Sequence, residues 1–160
     1  MLGYMLTTLA EASGEDWRVR TAGTHVIEGS AMSGRTREAL MAIEELGGHH
    51  FNAHRSHQLS DEDVAWADVI LASEAAHVHF VRRHFVDAAP KAVQIHQFVR
   101  FAPLDATFEE QLEVTSALEP LGEFDVVDPA GGDQGVYDQV ALQLWEMAQV
   151  FALLVGDGSD

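Results

Sequence analysis

The sequence has no cysteine. That excludes disulfides, thiolate-ligated zinc and any reaction that runs through a thiolate nucleophile. It has almost no lysine: Lys91 stands alone among nine basic residues, against 26 acidic ones, for a formal charge of −17. A field of that sign repels nucleic acid and anionic membrane surfaces, and disfavours phosphorylated ligands unless a local basic pocket overrides it. No uninterrupted apolar run approaches the roughly 20 residues of a membrane helix. Met1 to Ser13 holds no basic residue of the kind that opens a secretory signal. The expectation is a cytoplasmic protein with no nucleic-acid and no membrane partner.

What is present is an ordinary globular composition, 47% hydrophobic over 160 residues. That length suits one domain with a single core. The pattern supports a domain over residues 1–156 and a flexible tail over 157–160. Leu2, Met5, Leu6 and Leu9 recur at helical spacing, and Gly14 is a stop. Trp17, Val19 and Thr21 alternate with Arg18 and Arg20, which predicts a strand. Ser33 caps a helix carrying Ala39, Leu40, Ile43 and Leu46, ended by Gly47 and Gly48. A polar connection runs from His49 to Leu59. Ser60 and Asp63 have capping-box spacing. Asp68 to Ala72 is a short apolar run that suits a buried parallel strand. Ser73 is the expected cap of the next helix, whose apolar face is Val78, Val81 and Phe85. Val93, Ile95, Phe98 and Val99 predict a further strand. Thr107 and Glu110 offer a second capping box for a partial helix, within an acidic stretch from Glu109 to Glu123 that otherwise reads as solvated loop. The last helix carries the stripe Val136, Val140, Leu144, Met147, Phe151, Leu154 and Val155, with Gly156 at its end.

Alternating helices and strands imply an α/β fold: three layers, a small parallel sheet with helices on both faces. In such folds each helix normally follows a strand, and ligands sit beyond the carboxyl ends of the strands. The first helix here follows no strand. The expectation is a strand–loop–helix unit cut at its loop.

Four segments, in order, carry a family resemblance. They are Trp17-Arg18-Val19-Arg20-Thr21-Ala22-Gly23-Thr24, Ala53-His54-Arg55-Ser56-His57-Gln58-Leu59, Ala67-Asp68-Val69-Ile70-Leu71 and Asp125-Val126-Val127-Asp128-Pro129-Ala130-Gly131-Gly132. Together they resemble the low-molecular-weight protein tyrosine phosphatases, some of whose relatives are arsenate reductases. The resemblance implies hydrolysis of phosphomonoesters, phosphotyrosine in proteins especially, without a cofactor. In that family a Cys-x5-Arg loop between the first strand and the first helix cradles the phosphate with backbone amides and a helix amino end. Its Arg forks onto two phosphate oxygens, and its thiolate attacks phosphorus. This sequence has no counterpart of that loop, so turnover by the chain as it stands is not expected.

By the same resemblance Asp128 is the general acid that protonates the leaving oxygen. Pro129 stiffens its loop, and Gly131 and Gly132 let the loop approach substrate. Ala130 stands where relatives often place an aromatic residue against the phosphotyrosine ring. Thr21 and His54 fall where the family places groups that brace the phosphate loop. Taken alone, Asp128-Pro129 is a turn into the last helix. The central strand that the family carries between its second and third would contribute on the order of 10 kcal/mol of burial. That compares with a whole-domain stability of about 5–15 kcal/mol. Its absence predicts a marginal fold or self-association. The alternative function is a pseudophosphatase acting as a binding or dimerising module.

Nine histidines raise a metal reading. His49, His50, His54 and His57 share one connection without regular ligand spacing, and His77 and His79 diverge on a helix. No metal site is expected. Arg82 and Arg83 read as the wet face of their helix.

Overall fold

The computed structural model describes residues 1–156; the tail expected over 157–160 lies outside them. Helices α1 (Leu2–Ser13), α2 (Gly34–Met41), α3 (Asp61–Trp66), α4 (Ala75–His84), α5 (Ile95–Phe101), α6 (Phe108–Ser116) and α7 (Gln134–Gly156) accompany strands β1 (Ile70–Ala72) and β2 (Ala92–Gln94). The fold is α/β with a small parallel sheet. The described residues form two compact units, Met1–Leu59 with Val127–Gln149, and Ser60–Val126 with Val150 onward.

In the first unit α1 ends where its apolar pattern ends. Gly14 takes a left-handed φ of 76°, and its amide closes onto the Ala10 carbonyl. Met5, Leu6 and Ala10 are buried. Ser33 caps α2, its hydroxyl accepting from the Thr36 amide. The helix stops at Met41; Ile43 enters the core just ahead of a separate single turn at Glu44–Leu46, and Leu46 from that turn.

The strand expected over Trp17 to Thr21 does not form; that segment is irregular. Alternation makes a strand only where a neighbour can share ladder hydrogen bonds, and among the described residues no strand lies beside it. The chain becomes ordered by pairing two residues later. Gly23 forms a parallel bridge with Gln58, through Gly23 N to His57 O at 2.9 Å and Leu59 N to Gly23 O at 2.9 Å.

In the second unit β1 pairs with β2 in parallel, Leu71 opposite Val93. The connection between them passes through α4, as parallel pairing requires. The capping box of Ser60 and Asp63 starts α3, and that of Thr107 and Glu110 starts α6. Three expectations fail here. Val93 belongs to a strand, but Ile95, Phe98 and Val99 belong to α5, in which Ile95 and Phe98 are buried three residues apart, one helical turn. Ser73 does not cap α4. Its N-cap is Glu74 without a side-chain bond, and the Asp125 carboxylate accepts from the Ala75 amide instead, at 2.6 Å. The acidic stretch is in large part helix, because Gln111 and Thr115 turn inward while its carboxylates stay outside.

Arg82 is no wet-face residue either. It donates to the carbonyls of Ser116 at 2.6 Å, Leu118 at 3.2 Å and Ala92 at 3.3 Å, satisfying acceptors at the end of α6. Its neighbour Arg83 is exposed, as expected.

Helix α7 buries Tyr137, Val140, Ala141, Leu144, Trp145, Met147, Ala148 and Phe151, adding Tyr137, Ala141, Trp145 and Ala148 to the expected stripe. Val136, Leu154 and Val155 are half-buried. By length and composition α7 is apolar enough to cross a membrane, with a mean hydropathy of 1.3 over its best window. The sequence expectation missed this because Glu146 and the glutamines interrupt its apolar run.

Candidate active site

The residues singled out in the sequence all fall in the first unit, and they gather at two places. The first is the amino-terminal turn of α1. The Thr21 side chain lies over Gly3, so close that a Cβ at Gly3 would collide with the Thr21 methyl. Thr21 is exposed, and its hydroxyl makes no hydrogen bond among the described residues. His54 reaches the next residue of the same turn, its Nδ1 lying 3.3 Å from the Tyr4 hydroxyl. Two segments 33 positions apart in the chain, counting from Thr21 to His54, thus meet on Gly3 and Tyr4.

Around His54 the environment favours a neutral ring. Burial depresses its pKa below the ordinary histidine range, and the positive charges of the Met1 amino group and Arg55 add to the effect. Burial also raises the Tyr4 hydroxyl and lowers the Met1 amino group. The ring tautomer of His54 sets which of Nδ1 and the Tyr4 hydroxyl donates in the bond between them. Tyr4 further packs edge-on against Phe51 and His49, at centroid distances of 5.0 and 5.1 Å. His49 is held in turn by the Thr8 hydroxyl at 2.6 Å. The histidines of the connection therefore spread over different partners: His49 on Thr8, His54 on Tyr4, and His57 on Glu28 at 3.3 Å.

The second place is the loop before α7. Asp128 is exposed, and one of its carboxylate oxygens accepts the Ala130 amide at 2.9 Å. This is the side-chain turn that Asp offers at such positions. The Gly132 amide bonds back to the Pro129 carbonyl at 2.9 Å. Gly131 takes φ of 85°, a conformation that costs a side-chain-bearing residue about 1 kcal/mol or more. A Cβ at Gly132 would press on Val136 at 3.0 Å and on the Pro129 carbonyl at 3.1 Å. The loop is therefore compact, and its two glycines are required by its shape. Asp133 closes it by accepting the Val136 amide at 3.2 Å at the start of α7.

Two residues without a sequence signal tie this loop to α2. Arg35 Nη1 donates to the Gly132 carbonyl at 2.9 Å. Gln134 Nε2 donates to the Arg35 carbonyl at 3.1 Å and to the Asp138 carboxylate at 2.8 Å. The Gln134 carbonyl oxygen is buried without a partner among the described residues. Beside these contacts lies an open groove of ≈ 600 Å³ lined by Ser33, Gly34, Arg35, Glu38, Gln134 and Tyr137.

No protein-family profile matches the chain. A protein-arginine-phosphatase from Geobacillus stearothermophilus is 36% identical to it over 81 residues, which is 51% of each protein. The chain thus spans about half the length of the curated relative it matches. Among solved structures, a low-molecular-weight protein tyrosine phosphatase from T. tengcongensis superposes with a TM-score of 0.73 at 25% identity, covering 94% of this chain and 86% of the other. An arginine phosphatase from G. stearothermophilus superposes with a TM-score of 0.66 at 28% identity, covering 94% and 82%. Fold and similarity together define a phosphatase-type α/β protein. The likeness is to the low-molecular-weight protein tyrosine phosphatases.

Proposed function

We propose that this chain carries the scaffold and the proton donor of a phosphomonoester hydrolase, and that its own residues do not complete the reaction. The observation that carries this reading is the meeting of Thr21 and His54 on the first turn of α1. In the family that turn follows directly on the phosphate-binding loop, and a helix amino end there favours an oxyanion. A threonine hydroxyl without a partner and a neutral histidine are groups that would brace such a loop. Asp128 is the general acid in this reading, on a loop shaped by Pro129, Ala130, Gly131 and Gly132. The sequence contains no cysteine to form the phosphoenzyme, so hydrolysis stops short of its first covalent step. Arsenate reduction needs thiols too and meets the same gap.

The substrate class is a phosphorylated protein in the cytoplasm. Ala130 offers no ring to stack on a phosphotyrosine. The relatives at 36% and 28% identity are arginine phosphatases, which favours a phosphoarginine side chain over phosphotyrosine. A charge of −17 suits an approach by basic segments of a protein.

The test is an assay of the chain with para-nitrophenyl phosphate and with a phosphoarginine-bearing protein. A second version carries a strand and a Cys-x5-Arg loop joined ahead of Met1. No turnover is expected from the chain itself. Turnover is expected from the loop-bearing version, reduced roughly 10²–10⁴-fold by Asp128→Asn. Turnover by the unmodified chain would overturn the reading.

A second reading, a pseudophosphatase that binds or dimerises, rests on β1, which is paired along one edge only among the described residues. An unpaired strand edge is a template for another chain. Sedimentation of the chain across a concentration series separates this from a monomeric protein.

A further inference from the structure

We propose that Arg35 is the positioning residue of the Asp128 loop. The inference rests on the reading of Asp128 as the acid and extends it to the group that holds the acid's loop in place. Arg35 and Gly132 lie 97 positions apart in sequence and are joined by a guanidinium-to-carbonyl bond of 2.9 Å. The return bond from Gln134 Nε2 to the Arg35 carbonyl, at 3.1 Å, makes the contact reciprocal. One residue of α2 therefore engages the loop's last glycine with its side chain and the first residue of α7 with its backbone.

The loop needs such an anchor. Its internal bonds are two short ones, Ala130 amide to Asp128 and Gly132 amide to Pro129 carbonyl. Its centre is a glycine pair, the least restrained backbone available. Without an external anchor the Gly131 torsions are free to relax, and the carboxylate of Asp128 moves with them. Arg suits the role because its planar fork loses less freedom per bond than a lysine ammonium would. Arg35 and Gln134 also line the neighbouring open groove, so the anchor lies at a site open to solvent.

The experiment uses the full chain and amide hydrogen exchange at Ala130 and Gly132, the two bonded amides of the loop. Arg35→Ala is expected to speed exchange at both by about tenfold, with the melting temperature of the chain unchanged. The Ala130 amide proton reports Asp128 directly, since the carboxylate accepts it. Its chemical shift at fixed pH is expected to move in Arg35→Ala part of the way to its value in Asp128→Ala. Arg35→Lys should recover part of both effects, and Gln134→Ala should reproduce a smaller version of them. Exchange in Arg35→Ala within twofold of the parent at both amides, with the Ala130 shift unchanged, would overturn the proposal. Its failure is separable from failure of the acid reading. The latter is decided by Asp128→Asn in the loop-bearing version, whatever the amides do.

Discussion

The Asp125 carboxylate accepts the amide of Ala75 at 2.6 Å, so α4 is capped by a residue 50 positions further along the chain. The same oxygen accepts Gln94 Nε2 at 2.7 Å. Gln94 is 1% exposed and also exchanges bonds with the backbone of Leu121, through Nε2 to its carbonyl and Oε1 from its amide, both at 3.1 Å. Asp125→Ala removes the acceptor of one N–H of the buried Gln94 amide and of the Ala75 helix amide. The expected loss is about 2–3 kcal/mol, read as a shift in urea midpoint at constant slope. Asp125→Asn keeps an acceptor oxygen and should lose less.

His54 makes stability depend on pH. Its pKa in the fold lies below its ordinary value of 6.5, through burial first and then the charges of the Met1 amino group and Arg55. The unfolded chain therefore binds the proton more readily, and stability rises with pH wherever that is so. The contribution is complete above the unfolded value and is lost as pH falls through 6.5 toward the folded value. Unfolding curves from pH 7.5 down to 5 should show the loss, and His54→Gln should flatten that part of the profile. An unchanged profile in the variant would refute the assignment.

Arg82 and Arg83 should behave oppositely despite being neighbours. Arg82 satisfies carbonyls of Ser116, Leu118 and Ala92. Arg82→Ala is expected to destabilise the chain by about 2 kcal/mol, and Arg82→Lys by less, since an ammonium cannot fork onto all three. Arg83→Ala should stay within about 0.5 kcal/mol of the parent. Paired thermal melts distinguish the two.

Gly131→Ala places a Cβ on a residue at φ of 85°. The expected cost is about 1 kcal/mol, with Asn tolerated better than Ala at the same site. Gly132→Ala acts differently, pushing on Val136 and the Pro129 carbonyl, and should raise the exchange rate of the Gly132 amide itself.

Features that depend on neighbours in the chain were legible without coordinates. Ser33, the Ser60–Asp63 pair and the Thr107–Glu110 pair cap helices where their spacing says they should. Gly14 ends α1, and the apolar run ending at Ala72 makes β1. The family resemblance was carried by four short segments and required no structure. Where a pattern was ambiguous over a few residues it misled. Ile95 and Phe98 fit a strand's burial as well as a helical turn, and only the end of pairing at Gln94 decides between them.

The amino-acid sequence by itself determined the absence of a thiol, the sign of the charge, the starts of α2, α3 and α6 and the family resemblance, because each is written in composition or in residues a few positions apart. Tertiary structure decided what those residues do to one another. Trp17 to Thr21 failed to become a strand because a ladder needs a second chain segment alongside. Arg82 became a cap for carbonyls more than 30 positions away. Thr21 and His54 came to share one turn of α1, and Arg35 came to hold the loop of Asp128. Hydrogen bonds between distant segments have no period in sequence, so only the folded chain reveals them.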